Sequence, residues 1–511
     1  MLALAGAVAG LSASPWFILP ALFIGLPVLV LAFDGMDAER PGGRFRSGFL
    51  VSAAFALGYF TLTLHWLGAA FIQQGGEFLL LMPFAVLALA ALLALFWGVA
   101  GGVAALVWPK GPGRIVLLAG ALAVAEWARG HLFTGFPFNL VGYALTGTDS
   151  LMQLDAVIGP YGLTLLALLI GFTPALLIER RVWPIALAVL ALGAQVGFGT
   201  WRLATTPLPP DTALAVRLVQ PMILDHADWS ADDPASIIGK LTALSAPGLD
   251  QIDLLLWPES VFPFFLTRYQ TGLQQIGAML PERTTLLTGA PRDPLGPDGQ
   301  VIPDNPGYNS ILAIRRGGGV VASYDKVHLV PFGEYLPYPD FWRQLGINQF
   351  VPGTNGWAPG TNSRLMQVAG LPPFLALVCY EAIFPGDVGP VADAAFMLNV
   401  TNDAWFDGSV GPEQHAHQAR LRAVETGMPL VRPANSGVSF VTDALGRITG
   451  QLPPLTAAVL DFSLPGKIAP PPYAVWGEGP FVLALGLFAV LAFLLRRGKR
   501  NADDVRRLAG T

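Results

Sequence analysis

Hydrophobic and polar positions in this chain separate into long blocks before they show any finer period. Apolar runs lie near residues 1–13, 17–33, 48–68, 78–107, 115–131, 156–178 and 184–203, a mixed region follows over 204–475, and one more apolar run occupies 478–496. Crossing roughly 30 Å of hydrocarbon takes about 20 apolar residues in a helix, so this pattern predicts about eight transmembrane helices. The first run is the weakest of them, being short and interrupted by Ser12, Ser14 and Pro15. No basic stretch precedes it, so it reads as a retained segment rather than a cleaved signal peptide. The division expected is 1–203 for seven helices, 204–475 for a water-facing domain, and 476–511 for the eighth helix with a basic tail.

Loop charges fit that count. Arg40, Arg44 and Arg46 follow the second run, Lys110 and Arg114 the fourth, Arg180 and Arg181 the sixth, and Arg496, Arg497, Lys499 and Arg500 the last. Basic loops stay in the cytoplasm. Alternation through eight spans puts all four clusters and both termini there, with 204–475 on the opposite face.

Within 204–475 the period shortens. Apolar or β-branched runs at Ala213–Val219, Asp253–Trp257, Thr285–Thr288, Ser310–Ile314, Phe374–Tyr380, Ala394–Val400 and Val438–Thr442 predict strands. Helical patterns lie between some of them, at 413–427, 234–246 and 267–279. This alternation predicts an α/β domain with a buried sheet. Segments 291–307 and 352–361, rich in Pro and Gly, read as surface loops.

Composition sharpens the membrane reading. Hydrophobic residues make up 53% and charged residues 13% of the chain, against roughly 25% charged in a typical soluble protein. The net charge of −5 supplies no basic surface for nucleic acid. One cysteine, Cys379, excludes an intrachain disulfide.

Three residues are candidates for chemistry, two of them, Cys379 and Glu259, at strand ends where an open α/β sheet places its ligands. Cys379 ends the apolar strand from Phe374 and is a candidate nucleophile; equally, a lone thiol is often a small buried hydrophobe. Glu259 follows the strand Leu254–Trp257 and Pro258, in surroundings that raise a carboxylate's pKa, although a strand-end carboxylate in water fits the same letters. Lys326 lies in the segment Tyr324–Pro337 among Pro, Gly and aromatic residues, where an ammonium could hold an oxyanion or simply face solvent. His415 and His417 are two apart on a predicted helix and share no face, so no metal site is expected. No glycine-rich phosphate loop follows a strand, and no cofactor is expected.

Spacing alone does not bring the three together. In order, however, Trp257-Pro258-Glu259-Ser260, the segment Asp325–Pro337, and Val378-Cys379-Tyr380-Glu381 with Pro385 resemble the Glu-Lys-Cys signatures of the nitrilase superfamily. Asn402–Phe406, Gly411–His415, Ala419–Glu425, Arg432–Asn435 and Phe133–Pro137 extend the resemblance to the apolipoprotein N-acyltransferases of bacteria. Thr401 and Pro433 depart from that pattern, where Ser is familiar.

The resemblance implies an αββα sandwich on the periplasmic side of the inner membrane, acting as a monomer. It implies Cys379 as acylated nucleophile, Glu259 as general base and Lys326 as oxyanion stabiliser, supported by Glu334, Tyr380 and Glu381, with Trp405 at the lipid entrance. It further implies a phospholipid donor such as phosphatidylethanolamine and a diacylglyceryl apolipoprotein as acceptor. A membrane-tethered amidase passing its acyl group to water is the rival within enzymes. A transporter is the rival outside them and would carry ionisable residues inside its spans; only Glu126, Arg129 and His65 stand out, all expected near span ends.

Overall fold

A computed structural model describes residues 1–36, 41–76, 78–223, 234–295, 300–302, 306–344, 356–389 and 391–487. The chain divides into two compact units, Met1–Thr206 with the segment from Pro471 onward, and Pro207–Pro470.

The first unit is helical. Its helices are Leu2–Gly10, Leu19–Asp34, Pro41–Thr63, Phe78–Leu106, Gly113–His131, Asp155–Phe172 and Trp183–Thr205. Five helical segments among the described residues are long and apolar enough to cross a membrane, and Leu19–Asp34 is a shorter apolar helix. The first helix has nine residues, fewer than the run 1–13 predicted, because the chain turns at Leu11–Ser14. It lies close against Pro41–Thr63 through glycine. A Cβ on Gly58 would sit 1.7 Å from the Ala3 carbonyl oxygen, and one on Gly6 1.9 Å from that of Phe55. Small residues let helix backbones approach where lipid offers no hydrophobic driving force. The last predicted span is helical over 479–487, and its remainder with the basic tail lies outside the described residues.

Glu126 and Arg129, the latter in the last turn of the helix Gly113–His131, are buried. The Glu126 carboxylate accepts from the Arg129 guanidinium at 2.6 and 2.8 Å and from the Trp97 indole at 2.8 Å. Arg129 also donates to the carbonyls of Phe136 and Phe138. The pair folds the 132–145 connection back onto its own helix, and every bond it makes is internal.

The second unit is a sandwich of two six-stranded sheets. The strands are β1 Ala215–Gln220, β2 Leu254–Trp257, β3 Thr285–Arg292, β4 Tyr308–Ile314, β5 Val320–Asp325, β6 Leu365–Met366, β7 Phe374–Val378, β8 Phe396–Val400, β9 Leu430–Arg432, β10 Phe440–Thr442, β11 Ile448–Gln451 and β12 Ala458–Ser463. One sheet runs β12-β1-β2-β3-β4-β5 and the other β11-β10-β9-β8-β7-β6.

Alternation of side chains along each strand builds the layers. Leu254 and Leu256 of β2 meet Ala376 and Val378 of β7 and Leu398 of β8 between the sheets. Leu255 and Trp257 face outward onto Ile237, Leu241 and Ile276 of the helices Pro234–Ser245 and Gln270–Met279. Leu375 and Leu377 face outward onto Ala416, Ala419 and Ala423 of the helix Gly411–Thr426. Buried on both faces, these central parallel strands read as continuous apolar runs. The order of layers is therefore α, β, β, α, and β2, β7 and β8 deliver Glu259, Cys379 and Asn402 from their C-terminal ends.

Candidate active site

β7 ends at Val378, one residue before the thiol, rather than at Tyr380. Cys379 opens a short 3₁₀ turn, Cys379–Ile383, with φ of +49°. A side chain with a Cβ is strained in this left-handed region, and such strain persists only where the surroundings fix it.

Glu381 is the most evident part of that fixation. Its buried carboxylate accepts from the Tyr324 hydroxyl at 2.8 Å and from the backbone N–H groups of Val378, Val327 and His328 at 2.8, 3.0 and 3.1 Å. It thus ties the turn after β7 to the segment after β5, which carries Lys326. The structure gives Glu381 a clasping position rather than a place among the reacting groups.

Lys326, Glu259 and Glu334 meet. The Lys326 ammonium is 2.9 Å from Glu334 and 3.6 Å from Glu259, and all but 1% of its side chain is shielded from solvent. Asn309 on β4 donates its one amide nitrogen to both carboxylates, at 2.8 Å to Glu259 and 3.0 Å to Glu334. The Asn402 N–H caps the other Glu259 oxygen at 2.9 Å, and the Val330 N–H does the same for Glu334 at 2.7 Å.

Burial pushes the Glu259 carboxyl above its ordinary range and the Glu334 charge adds to this, while the Lys326 ammonium opposes it. Burial would lower Lys326, but Glu334 and then Glu259 outweigh it and hold the ammonium charged. Burial, with the Glu259 charge, pushes the Cys379 thiol up against the pull of Lys326. The site therefore sets a fixed cation beside a thiol and a carboxylate that burial makes harder to ionise.

Behind the thiol lies a second buried cluster that sequence reasoning missed. His415 Nδ1 is 2.8 Å from Asp403, and its Nε2 is 3.1 Å from the Cys379 carbonyl oxygen. The Cys379 sulfur, an Asp403 oxygen and a His415 ring nitrogen all lie within 4.8 Å of one another, a spacing that could suit a metal ion. The Arg432 guanidinium occupies the same cluster, however, 2.9 Å from Asp403 and 3.1 Å from His415. A fixed cation among the donors opposes a second one, and an ion-paired network accounts for the group. His417 is held apart from it; burial and the Arg420 and Arg422 charges lower its pKa to about 3.

Tyr380 is buried, its ring edge-on to Phe384 at 5.1 Å. Trp405 is half-buried in the turn Ala404–Phe406, directly after Asp403. His328 stacks on Phe384 at 3.9 Å.

Both parts of the chain match known families. Residues 5–173 match the apolipoprotein N-acyltransferase N-terminal domain, and residues 215–467 match carbon-nitrogen hydrolase. A Rhodopseudomonas palustris protein named apolipoprotein N-acyltransferase is 41% identical over 508 residues, covering 97% of this chain and 94% of its own length. One of the same name from Brucella melitensis is 42% identical over 489 residues, covering 93% and 91%. Among solved structures, a variant of a Nesterenkonia amidase from the nitrilase superfamily aligns over 51% of this chain and 94% of its own, at a TM-score of 0.36 and 20% identity. With relatives at this identity over nearly its whole length, the chain belongs to the apolipoprotein N-acyltransferase family.

Proposed function

We propose that the chain moves a fatty acyl group from a phospholipid to the α-amino group of a lipoprotein's diacylglyceryl-cysteine, through a thioester on Cys379. The observation that carries this reading is the convergence of Glu259, Lys326 and Glu334 with the strained Cys379 turn.

In the first half-reaction Glu259 takes the thiol proton as sulfur attacks the ester carbonyl. The Lys326 ammonium and a backbone N–H beside Cys379 hold the oxyanion. Collapse breaks the ester C–O bond, Glu259 returns the proton to the leaving alkoxide, and lysophospholipid departs. In the second half-reaction the acceptor amine attacks the thioester, Glu259 takes an amine proton, the C–S bond breaks as the amide forms, and Glu259 returns that proton to the leaving Cys379 thiolate. Glu334 keeps Lys326 in place by the 2.9 Å ion pair. A covalent intermediate lets two bulky lipid substrates use one site in turn.

Phosphatidylethanolamine as donor, a monomeric state and Trp405 at the lipid entrance are parts of the same proposal. So is an inner-membrane orientation with residues 204–475 periplasmic and both termini cytoplasmic.

Intact-protein mass spectrometry of the purified protein with phospholipid, wild type beside Cys379→Ala, tests the reading. A hydroxylamine-labile acyl increment is expected on wild type only, discharged by a diacylglyceryl-cysteine peptide. Discharge by water alone would favour the amidase reading, and no adduct on folded wild type would refute Cys379 as nucleophile.

A further inference from the structure

We propose that His415, held by Asp403, is a positioning residue that aims the Tyr380 amide N–H at the oxyanion formed on the Cys379 adduct. The proposal rests on the acyl-transfer reading above and adds the part that sets the geometry of its oxyanion hole.

The Cys379 carbonyl oxygen receives two buried side chains, His415 Nε2 at 3.1 Å and the Asn399 amide nitrogen at 3.3 Å. Each is anchored in turn by one guanidinium. Arg432 donates to Asn399 Oδ1 through Nη1 and to Asp403 through Nη2, and Asp403 meets His415 Nδ1 at 2.8 Å. Asn399 ends with Arg432 and Asp403 among the most buried polar groups of the domain, at 1% exposure or less. Asp403 and His415 also lie within 4.8 Å of the Cys379 sulfur, and the described hydrogen bonds of the network converge on the Cys379 carbonyl.

What it holds is one peptide plane. The Cys379–Tyr380 bond is trans, so its C=O and N–H point in opposite directions. Fixing the carbonyl toward His415 and Asn399 fixes the Tyr380 N–H on the other side. Hydrogen bonds to the carbonyl also polarise the peptide and strengthen its N–H as a donor. The turn needs such help, because φ of +49° at Cys379 is a conformation the backbone would otherwise leave.

Two substitutions separate the two ends of the imidazole. In His415→Gln the side-chain amide reaches the Nε2 position and can still donate to Cys379 O. In His415→Asn it reaches only the Nδ1 position, keeping Asp403 and losing Cys379 O. Two rates are read on the full-length protein with phospholipid, thioester formation by intact mass and Cys379 alkylation by iodoacetamide. Alkylation needs the same thiol but displaces iodide at a saturated carbon and develops no oxyanion. Loss of one oriented donor is worth roughly 100-fold or more, so His415→Asn is expected to slow acylation roughly 10- to 100-fold with KM unchanged and alkylation within about 2-fold. His415→Gln is expected to recover most of the rate. Equal loss in both variants, alkylation falling in step with acylation, or unchanged acylation in His415→Asn would overturn the proposal. Absence of the adduct in wild type would overturn the acyl-transfer reading instead.

Discussion

At the scale of single residues, the backbone of Cys379 makes an unusual forecast. Alanine is ordinarily the more stabilising replacement, but at φ of +49° the Cβ is penalised by about 1–2 kcal/mol and glycine is not. Cys379→Gly should therefore melt above Cys379→Ala in a thermal scan, although the acyl-transfer reading expects neither to be active. A lower melting point for the glycine variant would show that the turn is unstrained. Asp407, in the loop after Trp405, makes a second forecast. Burial raises its carboxyl to about 6, with the Asp403 and Glu413 charges pushing the same way and Ser436 opposing. The folded protein then holds a proton that the unfolded chain, titrating near 3.9, releases earlier. Its contribution is full below about pH 4 and is lost as pH rises through about 6. Asp407→Asn should raise the melting temperature at pH 7.5, and the difference should vanish toward pH 4. A gain that is independent of pH would contradict this.

At the scale of elements, Glu381 carries the largest single expectation. Its carboxylate serves three backbone N–H groups and a buried tyrosine, with Arg364 at 3.5 Å. Glu381→Gln places an amide nitrogen against donors and removes the charge facing Arg364. Leaving such a buried cluster unmatched costs about 3–5 kcal/mol, to be read by denaturant or thermal unfolding against Cys379→Ala. The strands show why part of this architecture is legible in the letters and part is not. β2, β7 and β8 are buried on both faces, so Leu254–Trp257, Phe374–Val378 and Phe396–Val400 announce themselves as apolar runs. β5, β11 and β12 carry exposed positions, β6 has two residues, and β9 ends in the buried Arg432. Their apolar stretches are short or broken by polar positions, and these five escape sequence reasoning. The site divides in the same way. Glu259 and Cys379 sit at strand ends and Lys326 follows another, whereas Asn309, Asp403 and His415 matter through contacts with residues distant in the chain.

At the scale of the whole molecule, charge and length argue together. Five described helical segments can span a bilayer. Positive residues at Arg40–Arg46, Lys110–Arg114 and Arg180–Arg181 follow alternate apolar runs, which is the bias that holds loops in the cytoplasm. Reporter fusions after residues 110 and 181 should accordingly be active only as cytoplasmic reporters, and fusions within 234–245 only as periplasmic ones. A fusion after 110 reporting from the periplasm would invert the proposed topology. The Glu381 clasp has a different reach. Tyr324 belongs to one sheet and Val327 to the segment that follows its last strand, Val378 belongs to the other sheet, and a single carboxylate holds both. The positions of Cys379 and Lys326 are thus fixed relative to each other by a contact that needs both sheets. On the acyl-transfer reading, the placing of the thiol beside the ammonium then depends on both sheets being in place.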